Sequence, residues 1–323
     1  MLIPIMLFLF GFILLIKGGD WFVDGAVGIA NCFHLPELLI GATVVSIGTT
    51  LPEVMVSAQA AFDGSSGISY GNAIGSIICN TSLIAAITVA VRPGSVRRKT
   101  LVFPVSVFFF AAAVYAGIAY LSGSFQRWHG IMFLAVFIFY LIITILHMKK
   151  NPDTEYQPDV EGSIPAKPLW KDLILLVAGA AAIAVGAKLL VENGTLIAHA
   201  LGVPDSVIGL TMIALGTSLP ELITAITSLV KGHSSLSLGN IIGANLFNIV
   251  LVSGAAITIN PFSIPAEKTI SGMNASLLVD LPVMIGVMLI LCIPALVKEK
   301  LMRWQGVLLL CIYVGFSVFQ FIF

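Results

Sequence analysis

Ten apolar segments, each of a length that crosses a lipid bilayer as a helix, follow one another along this chain of 323 residues. A spanning helix needs about 20 apolar residues, and it satisfies its backbone hydrogen bonds within the segment. Hydrophobic residues make up 58% of the chain and charged residues 10%, which excludes a water-soluble domain. The segments lack the alternation of a membrane β-barrel. We therefore predict an all-α integral membrane protein with ten transmembrane helices.

Short polar turns separate the predicted helices, apart from one long connection. Residues 149–168 contain four acidic residues and four prolines, a composition that is typical of a linker. This linker divides the chain into a first half, residues 1–148, and a second half, residues 169–323. The predicted helices cover residues 2–18, 36–62, 70–91, 100–121, 128–148, 169–192, 204–230, 238–260, 273–297 and 303–323.

Basic residues concentrate on one side of the membrane if the N-terminus lies outside the cell. With that orientation 13 of the 16 basic residues, among them Lys17, lie in cytoplasmic loops, and only Arg127, Lys188 and Lys268 lie outside. Because cytoplasmic loops are enriched in Lys and Arg, we predict that both termini lie outside a cell (inner) membrane and that the linker is cytoplasmic. The 16 acidic residues cancel the basic charge, so a nucleic-acid partner is not supported.

The two halves contain a repeated sequence. A shift of 168 residues aligns residues 41–83 with residues 209–251, and 16 of these 43 pairs are identical. GTTLPE returns as GTSLPE, and GNAIGSIICN returns as GNIIGANLFN. Because each repeat unit spans five helices, an odd number, the second unit enters the membrane from the opposite side. Inverted repeats recur in secondary transporters, with the substrate near the bilayer midplane; a duplicated scaffold without a transport role is the alternative.

One glutamate lies at the same place in each repeat, near the middle of a predicted helix. An acidic side chain at the bilayer centre costs about 2.5–3.5 kcal/mol, and no Lys or Arg lies at comparable depth in the second, third, seventh or eighth helix. A bound cation is therefore the expected partner of Glu53 and Glu221. The alternative is a pair of protonated, hydrogen-bonded structural acids.

A proline precedes each glutamate and indicates free backbone oxygens beside it. Pro52 and Pro220 lack the amide hydrogen that would bond the carbonyl groups of Gly48 and Gly216. Hard cations such as Ca²⁺ are bound by carboxylate, carbonyl and water oxygens. Helical spacing adds more polar groups to the same faces, namely those of Thr49, Thr217, Ser76, Asn80 and Asn248.

These two motif pairs strongly resemble the α-repeats of the cation/Ca²⁺ exchanger superfamily, and within it the prokaryotic Na⁺/Ca²⁺ exchangers. The resemblance extends over the whole chain in helix number and repeat arrangement. It implies that Glu53 and Glu221 bind both Ca²⁺ and Na⁺, and that the carbonyl groups of Thr49 and Thr217 complete the Ca²⁺ site. It also implies Na⁺ ligands and centre-lining residues: the carbonyls of Ser46 and Ala214, the hydroxyls of Thr50, Ser218 and Ser76, and the amides of Asn80 and Asn248.

The chain departs from the family pattern at two positions. Many relatives carry an aspartate where this chain has Asn248, which leaves one potential charge fewer and leans against K⁺ dependence. Ala244 lacks the hydroxyl group that its repeat partner Ser76 offers, which puts one Na⁺ site in doubt.

The expected function is secondary active antiport of Na⁺ against Ca²⁺ by alternating access, without a cofactor. A Ca²⁺/H⁺ or other divalent cation/H⁺ antiporter that uses the same carboxylates is the first alternative, and a cation channel is the second. A membrane-embedded enzyme is disfavoured because no His-based metal motif or nucleophile–base pair accompanies the glutamates.

Overall fold

A computed structural model describes residues 2–150, 168–201, 214–265, 269–270 and 272–322 of the chain. This described part is almost entirely helical. Its helices are α1 (Leu2–Cys32), α2 (Glu37–Phe62), α3 (Ser66–Val91), α4 (Arg98–Ser122), α5 (Arg127–Lys150), α6 (Leu169–Ala200), α7 in two pieces (Ala214–Thr217 and Leu219–Val230), α8 (Ser234–Ile259), α9 (Ser276–Lys298) and α10 (Arg303–Ile322).

Eight of the described helices are long and apolar enough to cross a membrane, so the chain is an all-helical, multi-pass membrane protein. The other two are α7, whose longer described piece is a short apolar helix, and α10, which has 20 residues. The predicted start of the seventh helix, residues 204–213, lies outside the described residues. Residues 151–167 of the predicted linker do so as well.

Two predicted helix ends are wrong. The first helix continues to Cys32 instead of ending at residue 18, and the sixth continues to Ala200 instead of ending at residue 192. Lys17, which we placed in a cytoplasmic loop, therefore lies within α1. The two acidic side chains beyond it pair with one lysine, since Nζ of Lys231 lies 2.8 Å from Oδ1 of Asp24 and 3.3 Å from Oδ1 of Asp20. The negative charge in the C-terminal half of α1 is thus neutralised by a lysine in the turn that follows α7.

Helices α1 and α6 run antiparallel and touch each other through glycines. A Cβ atom added at Gly11 would lie 2.9 Å from the carbonyl oxygen of Gly186, and one added at Gly25 would lie 2.5 Å from the backbone nitrogen of Leu176. Small residues allow such close approach of two membrane helices. The two helices therefore form a pair held largely through backbone contacts.

The centre of the described part consists of α2, α3, α7 and α8, which contact one another. Helices α8 and α3 are the most enclosed spans, with 83% and 72% of their most apolar 18-residue segments buried.

Four strands of two residues each lie in the turns between the described helices. Strand β1 (Ser124–Phe125) pairs with β2 (Phe262–Ser263), and β3 (Thr269–Ile270) pairs with β4 (Met273–Asn274), both antiparallel. Strand β4 occupies the residues where we predicted the ninth helix to begin.

Hydrogen bonds at the two ends of the molecule repeat at positions related by the shift of 168 residues. The side-chain amide of Asn260 donates to the carbonyl of Ala61 at 3.1 Å, and the guanidinium of Arg92 donates to the carbonyl of Leu229 at 3.2 Å. Asn260 corresponds to Arg92, and Leu229 corresponds to Ala61. The first bond joins turns that we predicted outside the cell, and the second joins turns that we predicted in the cytoplasm.

The turns themselves are also alike. Gly64 between α2 and α3 has φ 74°, and the corresponding Gly232 between α7 and α8 has φ 89°, a conformation that favours glycine. The backbone amides of Ser65 and His233 then close equivalent hydrogen bonds to Ala60 and Ser228. The two helical hairpins therefore share one turn geometry.

Candidate functional site

Two glutamates on the central helices are completely enclosed. Glu53 on α2 and Glu221 on α7 are each 0% exposed, and the two helices that carry them contact each other. None of the four carboxyl oxygens has a hydrogen-bond partner, and among the described residues neither glutamate takes part in an ion pair. Because unpaired buried carboxyl groups are costly, these four oxygens are suited to a cation.

The prolines before the glutamates act differently in the two halves. Helix α2 continues through Pro52, whereas α7 is interrupted at Ser218, two residues before Pro220. In both halves the proline offers no amide hydrogen to the carbonyl group four residues earlier, which belongs to Gly48 or Gly216. The predicted opening of the backbone therefore appears as a break in α7 but not in α2.

Several neutral side chains predicted for the site are buried without a hydrogen-bond partner. They are the hydroxyl groups of Thr50 and Ser218 and the whole side-chain amides of Asn80 and Asn248. Each of these four residues is at most 3% exposed. Oxygen atoms that would otherwise be left unpaired in the protein interior are the ligands that Na⁺ and Ca²⁺ prefer.

Asn80 and Asn248 occupy equivalent structural positions. Each begins a π-helical turn, Asn80–Ala85 in α3 and Asn248–Val252 in α8. The first turn contacts α7, and the second contacts α2 and α3. Widened turns of this kind occur frequently at functional sites, and here they bring both asparagines against the helices that carry the glutamates.

The remaining residues predicted for the site differ in how deeply they are buried. Ser76 is 4% exposed on α3, and Thr49 is 2% exposed on α2. Thr217 is half-buried at the end of the short helical piece that contacts α3. Ala214 begins that piece, and its side chain lies outside the described residues.

Two predicted residues use their hydroxyl groups to join the halves of the chain. Thr49 Oγ1 donates to Oδ1 of Asn240 at 3.1 Å. Ser46 Oγ lies 2.9 Å from the carbonyl oxygen of Asn240 and 2.7 Å from that of Gly41, within its own helix. The hydroxyl groups therefore have structural partners, which leaves the backbone carbonyls as the ion ligands that the sequence predicts for both residues.

Sequence reasoning missed the asparagine that follows the glycine at the start of each GN motif. Asn72 donates from Nδ2 to the backbone carbonyl of Glu53 at 3.1 Å and to the hydroxyl of Ser57 at 2.8 Å. Its repeat partner Asn240 receives the hydrogen bond from Thr49. The signal was present, because the Gly-Asn pair is identical in both repeats.

A small cleft separates the α1–α6 pair from the glutamate-bearing helices. It is lined by Phe22 from α1, by Ile183 from α6 and by Thr49, Pro52 and Pro220, with three small residues completing the wall. The α1–α6 pair therefore borders the two prolines that precede the glutamates.

Oxygen atoms make up the candidate donor set. Within the described residues no three His, Cys, Asp or Glu side chains form a cluster that would hold a metal ion. Two carboxyl groups with neutral oxygens are the kinds of ligand that hard cations take.

The chain is similar to known proteins over most of its length. The chain matches the family model described as "Sodium/calcium exchanger protein" over residues 3–146 and 171–322. "Putative antiporter CaxA" of Alkalimonas amylolytica is 36% identical over 332 residues, which cover 99% of each protein. "Sodium/calcium exchanger MaX1" of Methanosarcina acetivorans is 32% identical over 355 residues, which cover 98% of each.

The fold has a solved counterpart. A structure of the sodium-calcium exchanger NCX_Mj, soaked with 2.5 mM Na⁺ and 10 mM Sr²⁺, superposes with a TM-score of 0.80 at 34% sequence identity. The superposition covers 97% of both chains. The resemblance that the repeated motifs indicated is therefore confirmed.

Proposed function

We propose that this chain, which belongs to the sodium/calcium exchanger protein family, is an antiporter that exchanges Na⁺ for Ca²⁺ at one site in the middle of a cell membrane. One observation carries the proposal. Glu53 and Glu221 lie on two helices in contact, and their four carboxyl oxygens are buried without a hydrogen-bond partner. Cations that neutralise this charge are the substrates.

Charge balance explains why the ions exchange. Two ionised glutamates carry two negative charges, which one Ca²⁺ or a set of Na⁺ ions neutralises. Ca²⁺ and Na⁺ therefore compete for Glu53 and Glu221 and do not bind together. An empty site leaves two unpaired charges in a medium of low dielectric constant. The protein without bound ions therefore resists the conformational change that turns the site from one side of the membrane to the other. Uncoupled movement of a single ion species would need that change.

The neutral groups divide between the ions in this proposal. The carbonyl groups of Thr49 and Thr217 complete the Ca²⁺ site. Because Ala244 lacks the hydroxyl that Ser76 has, one of the flanking Na⁺ sites has a ligand fewer. The Na⁺ ligands and the residues lining the centre are Ser46, Ala214, Thr50, Ser218, Ser76, Asn80 and Asn248.

The same proposal includes ten spans in two inverted five-helix repeats, with both termini outside the cell and the linker in the cytoplasm. Matched hydrogen bonds support it: Asn260 contacts Ala61 at one end as Arg92 contacts Leu229 at the other. Helices α1 and α6 slide over the four central helices and open the site to each side in turn. The cleft between that pair and the prolines is where such sliding would change access.

Uptake of radioactive Ca²⁺ into membrane vesicles tests the function. Vesicles loaded with Na⁺ and diluted into Na⁺-free buffer take up Ca²⁺, and vesicles with equal Na⁺ on both sides do not. Glu53→Gln abolishes the uptake. The matched control is Glu192→Gln, which changes an exposed glutamate on α6 whose ion-pair partner in the described part of the chain is Lys188, and it leaves uptake intact. Undiminished uptake by Glu53→Gln would reject the site.

A divalent cation/H⁺ antiporter would use the same two carboxylates, with protons replacing Na⁺. The vesicle assay separates the two functions if a pH gradient is imposed without a Na⁺ gradient. Ca²⁺ uptake that follows the pH gradient and ignores Na⁺ would establish the proton-coupled alternative. Steady single-channel currents carried by the purified protein would instead establish a channel.

A further inference from the structure

Two hydrogen-bonding residues hold α3 against α2 directly beside the first glutamate. Ser69 Oγ donates to the carbonyl of Ser57 at 2.9 Å. Asn72 Nδ2 donates to the carbonyl of Glu53 at 3.1 Å and to the hydroxyl of Ser57 at 2.8 Å. We call these three bonds the α2–α3 clamp. Through the clamp, the backbone of Glu53 is fixed to the neighbouring helix.

The corresponding clamp between α7 and α8 is not made. The shift of 168 residues relates Ser69 to Ser237 and Asn72 to Asn240. The hydroxyl of Ser237 and Nδ2 of Asn240 are both buried, at 2% and 0% residue exposure, and neither atom has a hydrogen-bond partner. Two buried donors therefore stand where the first half has a complete set of bonds. Buried donors without acceptors are rare in proteins and call for an explanation.

Asn240 is engaged elsewhere in this conformation. Its Oδ1 accepts a hydrogen bond from Thr49, and its carbonyl oxygen accepts one from Ser46. Both donors lie on α2, in the other half of the chain. Asn72 thus joins its helix to the neighbour within its own half, whereas Asn240 joins its helix across to the opposite half.

The two halves make equivalent contacts away from the glutamates. At the ends of the same helices, Asn260 donates to Ala61 and Arg92 donates to Leu229, so the equivalent contact is made in both halves. The two halves thus make equivalent hydrogen bonds at the helix ends and different ones beside the glutamates. We infer that they are in two different local conformations.

We propose that the two clamps alternate during transport. When the site turns to the opposite side of the membrane, the α2–α3 clamp opens and the α7–α8 clamp closes. Asn240 then donates to the carbonyl of Glu221, and Ser237 donates to that of Ala225, while Asn72 accepts from Thr217. Asn72, Asn240, Ser69 and Ser237 are positioning residues that link the backbone of each glutamate to the side on which the site opens. This inference rests on the proposed antiport function.

One difference between the halves sets the balance of the two states. Ser57 gives Asn72 a second acceptor, but the equivalent residue on α7 is Ala225, which has no hydroxyl group. The α7–α8 clamp therefore has one hydrogen bond fewer when it closes. The conformation with the α2–α3 clamp made is favoured by that bond.

The test compares apparent Ca²⁺ affinity at the two faces of the membrane. Na⁺-coupled Ca²⁺ uptake is measured in right-side-out and inside-out vesicles, and the ratio of the two half-saturating Ca²⁺ concentrations is recorded. This ratio follows the populations of the two states, because a ligand binds a fractionally populated state with proportionally lower apparent affinity. A general loss of stability lowers activity at both faces and leaves the ratio unchanged.

Two equivalent substitutions have opposite expected effects. Ser69→Ala removes a bond of the α2–α3 clamp and shifts the ratio about fivefold, as expected for one hydrogen bond of ordinary strength. Ser237→Ala removes a bond that exists only in the other state and shifts the ratio about fivefold the opposite way. The double variant returns the ratio to within about twofold of the original value. Ala225→Ser supplies the missing acceptor and shifts the ratio in the same direction as Ser69→Ala.

Asn260→Ala is the matched control. It removes a side-chain hydrogen bond to the carbonyl of Ala61 that is made in both states, so the ratio stays within about twofold of the original value. Shifts of Ser69→Ala and Ser237→Ala in the same direction, or no shift by either beyond twofold, would overturn the alternating clamps while leaving antiport intact. If Ser69→Ala does not fold, the direction of Ala225→Ser relative to Ser237→Ala decides. Absence of Na⁺-coupled uptake by the unmodified protein would overturn the proposed function and this inference together.

Discussion

The hydroxyl group of Thr49 donates a 3.1 Å hydrogen bond to Oδ1 of Asn240, and this bond crosses between the two halves of the chain. Both residues are buried, at 2% and 0% exposure. Helix α2 is thereby joined to α8 one turn before Glu53. The site is thus built from both halves and depends on how they are held together.

Thr49→Val tests the strength of this connection. The substitution keeps the shape of the side chain but leaves Oδ1 of Asn240 buried without a donor, which costs about 1–3 kcal/mol. We expect a lower unfolding temperature for the purified protein in detergent. Thr258→Val is the control, since the hydroxyl of Thr258 donates to the carbonyl of Gly254 within its own helix and does not join the two halves among the described residues. Equal thermal stability of the two variants would contradict the structural role of the bond.

Na⁺ binding is expected to depend on two hydroxyl groups. Thr50→Val and Ser218→Ala each remove a buried oxygen that has no protein partner and that we assign to Na⁺. The Na⁺ concentration that half-displaces bound Ca²⁺ should rise about tenfold, which corresponds to about 1.4 kcal/mol, while Ca²⁺ affinity without Na⁺ changes much less. Competition of Na⁺ with radioactive Ca²⁺ measures both quantities. A larger loss of Ca²⁺ affinity than of Na⁺ affinity would mean that the two residues serve the other ion.

The close contact between α1 and α6 predicts that a larger side chain at Gly25 destabilises the protein. A Cβ atom at Gly25 would lie 2.5 Å from the backbone nitrogen of Leu176, so Gly25→Ala forces the helices apart at a cost of about 1–3 kcal/mol. We expect slower exchange and a lower unfolding temperature. Gly117→Ala in α4 is the control, because a Cβ atom there meets nothing within 4 Å. Normal exchange by Gly25→Ala would show that the two helices need not stay in contact.

The all-helical membrane character and the burial of the two acids were predictable, because apolar length and duplicated motifs are local properties of the sequence. The end of α1 was not, since Lys17 and Asp24 look like loop residues until Lys231 is seen to neutralise Asp24. That ion pair joins residues far apart in the sequence. Hydropathy alone cannot anticipate such a partner.

The different contacts of Asn72 and Asn240 could not be predicted from the sequence either. Alignment of the repeats makes the two asparagines equivalent, and it therefore predicts equivalent contacts. The structure gives them different partners, because Asn72 bonds to α2 within its own half and Asn240 bonds to Thr49 of the other half. Symmetry of sequence predicts the set of available contacts but not which half makes them.

The two ion pairs of Lys231 should contribute modestly to stability. Nζ of Lys231 lies 2.8 Å from Asp24 and 3.3 Å from Asp20, and the three side chains are 25%, 48% and 40% exposed. Partly exposed pairs contribute about 0.2–1 kcal/mol each. Lys231→Gln should therefore lower the free energy of unfolding by at most about 2 kcal/mol, and the difference should shrink at high salt. Lys188→Gln, which breaks one more exposed pair with Glu192, should have a smaller effect. A loss well above about 2 kcal/mol that persists at high salt would contradict this view.

Equilibrium binding of radioactive Ca²⁺ to the purified protein tests the shared site most directly. We expect the unmodified protein to bind one Ca²⁺ that Na⁺ displaces completely, and we expect Glu53→Gln and Glu221→Gln each to weaken the binding of both ions. Ca²⁺ binding of unchanged affinity in both variants, still displaced by Na⁺, would contradict the claim that the two buried carboxyl groups hold the transported ions.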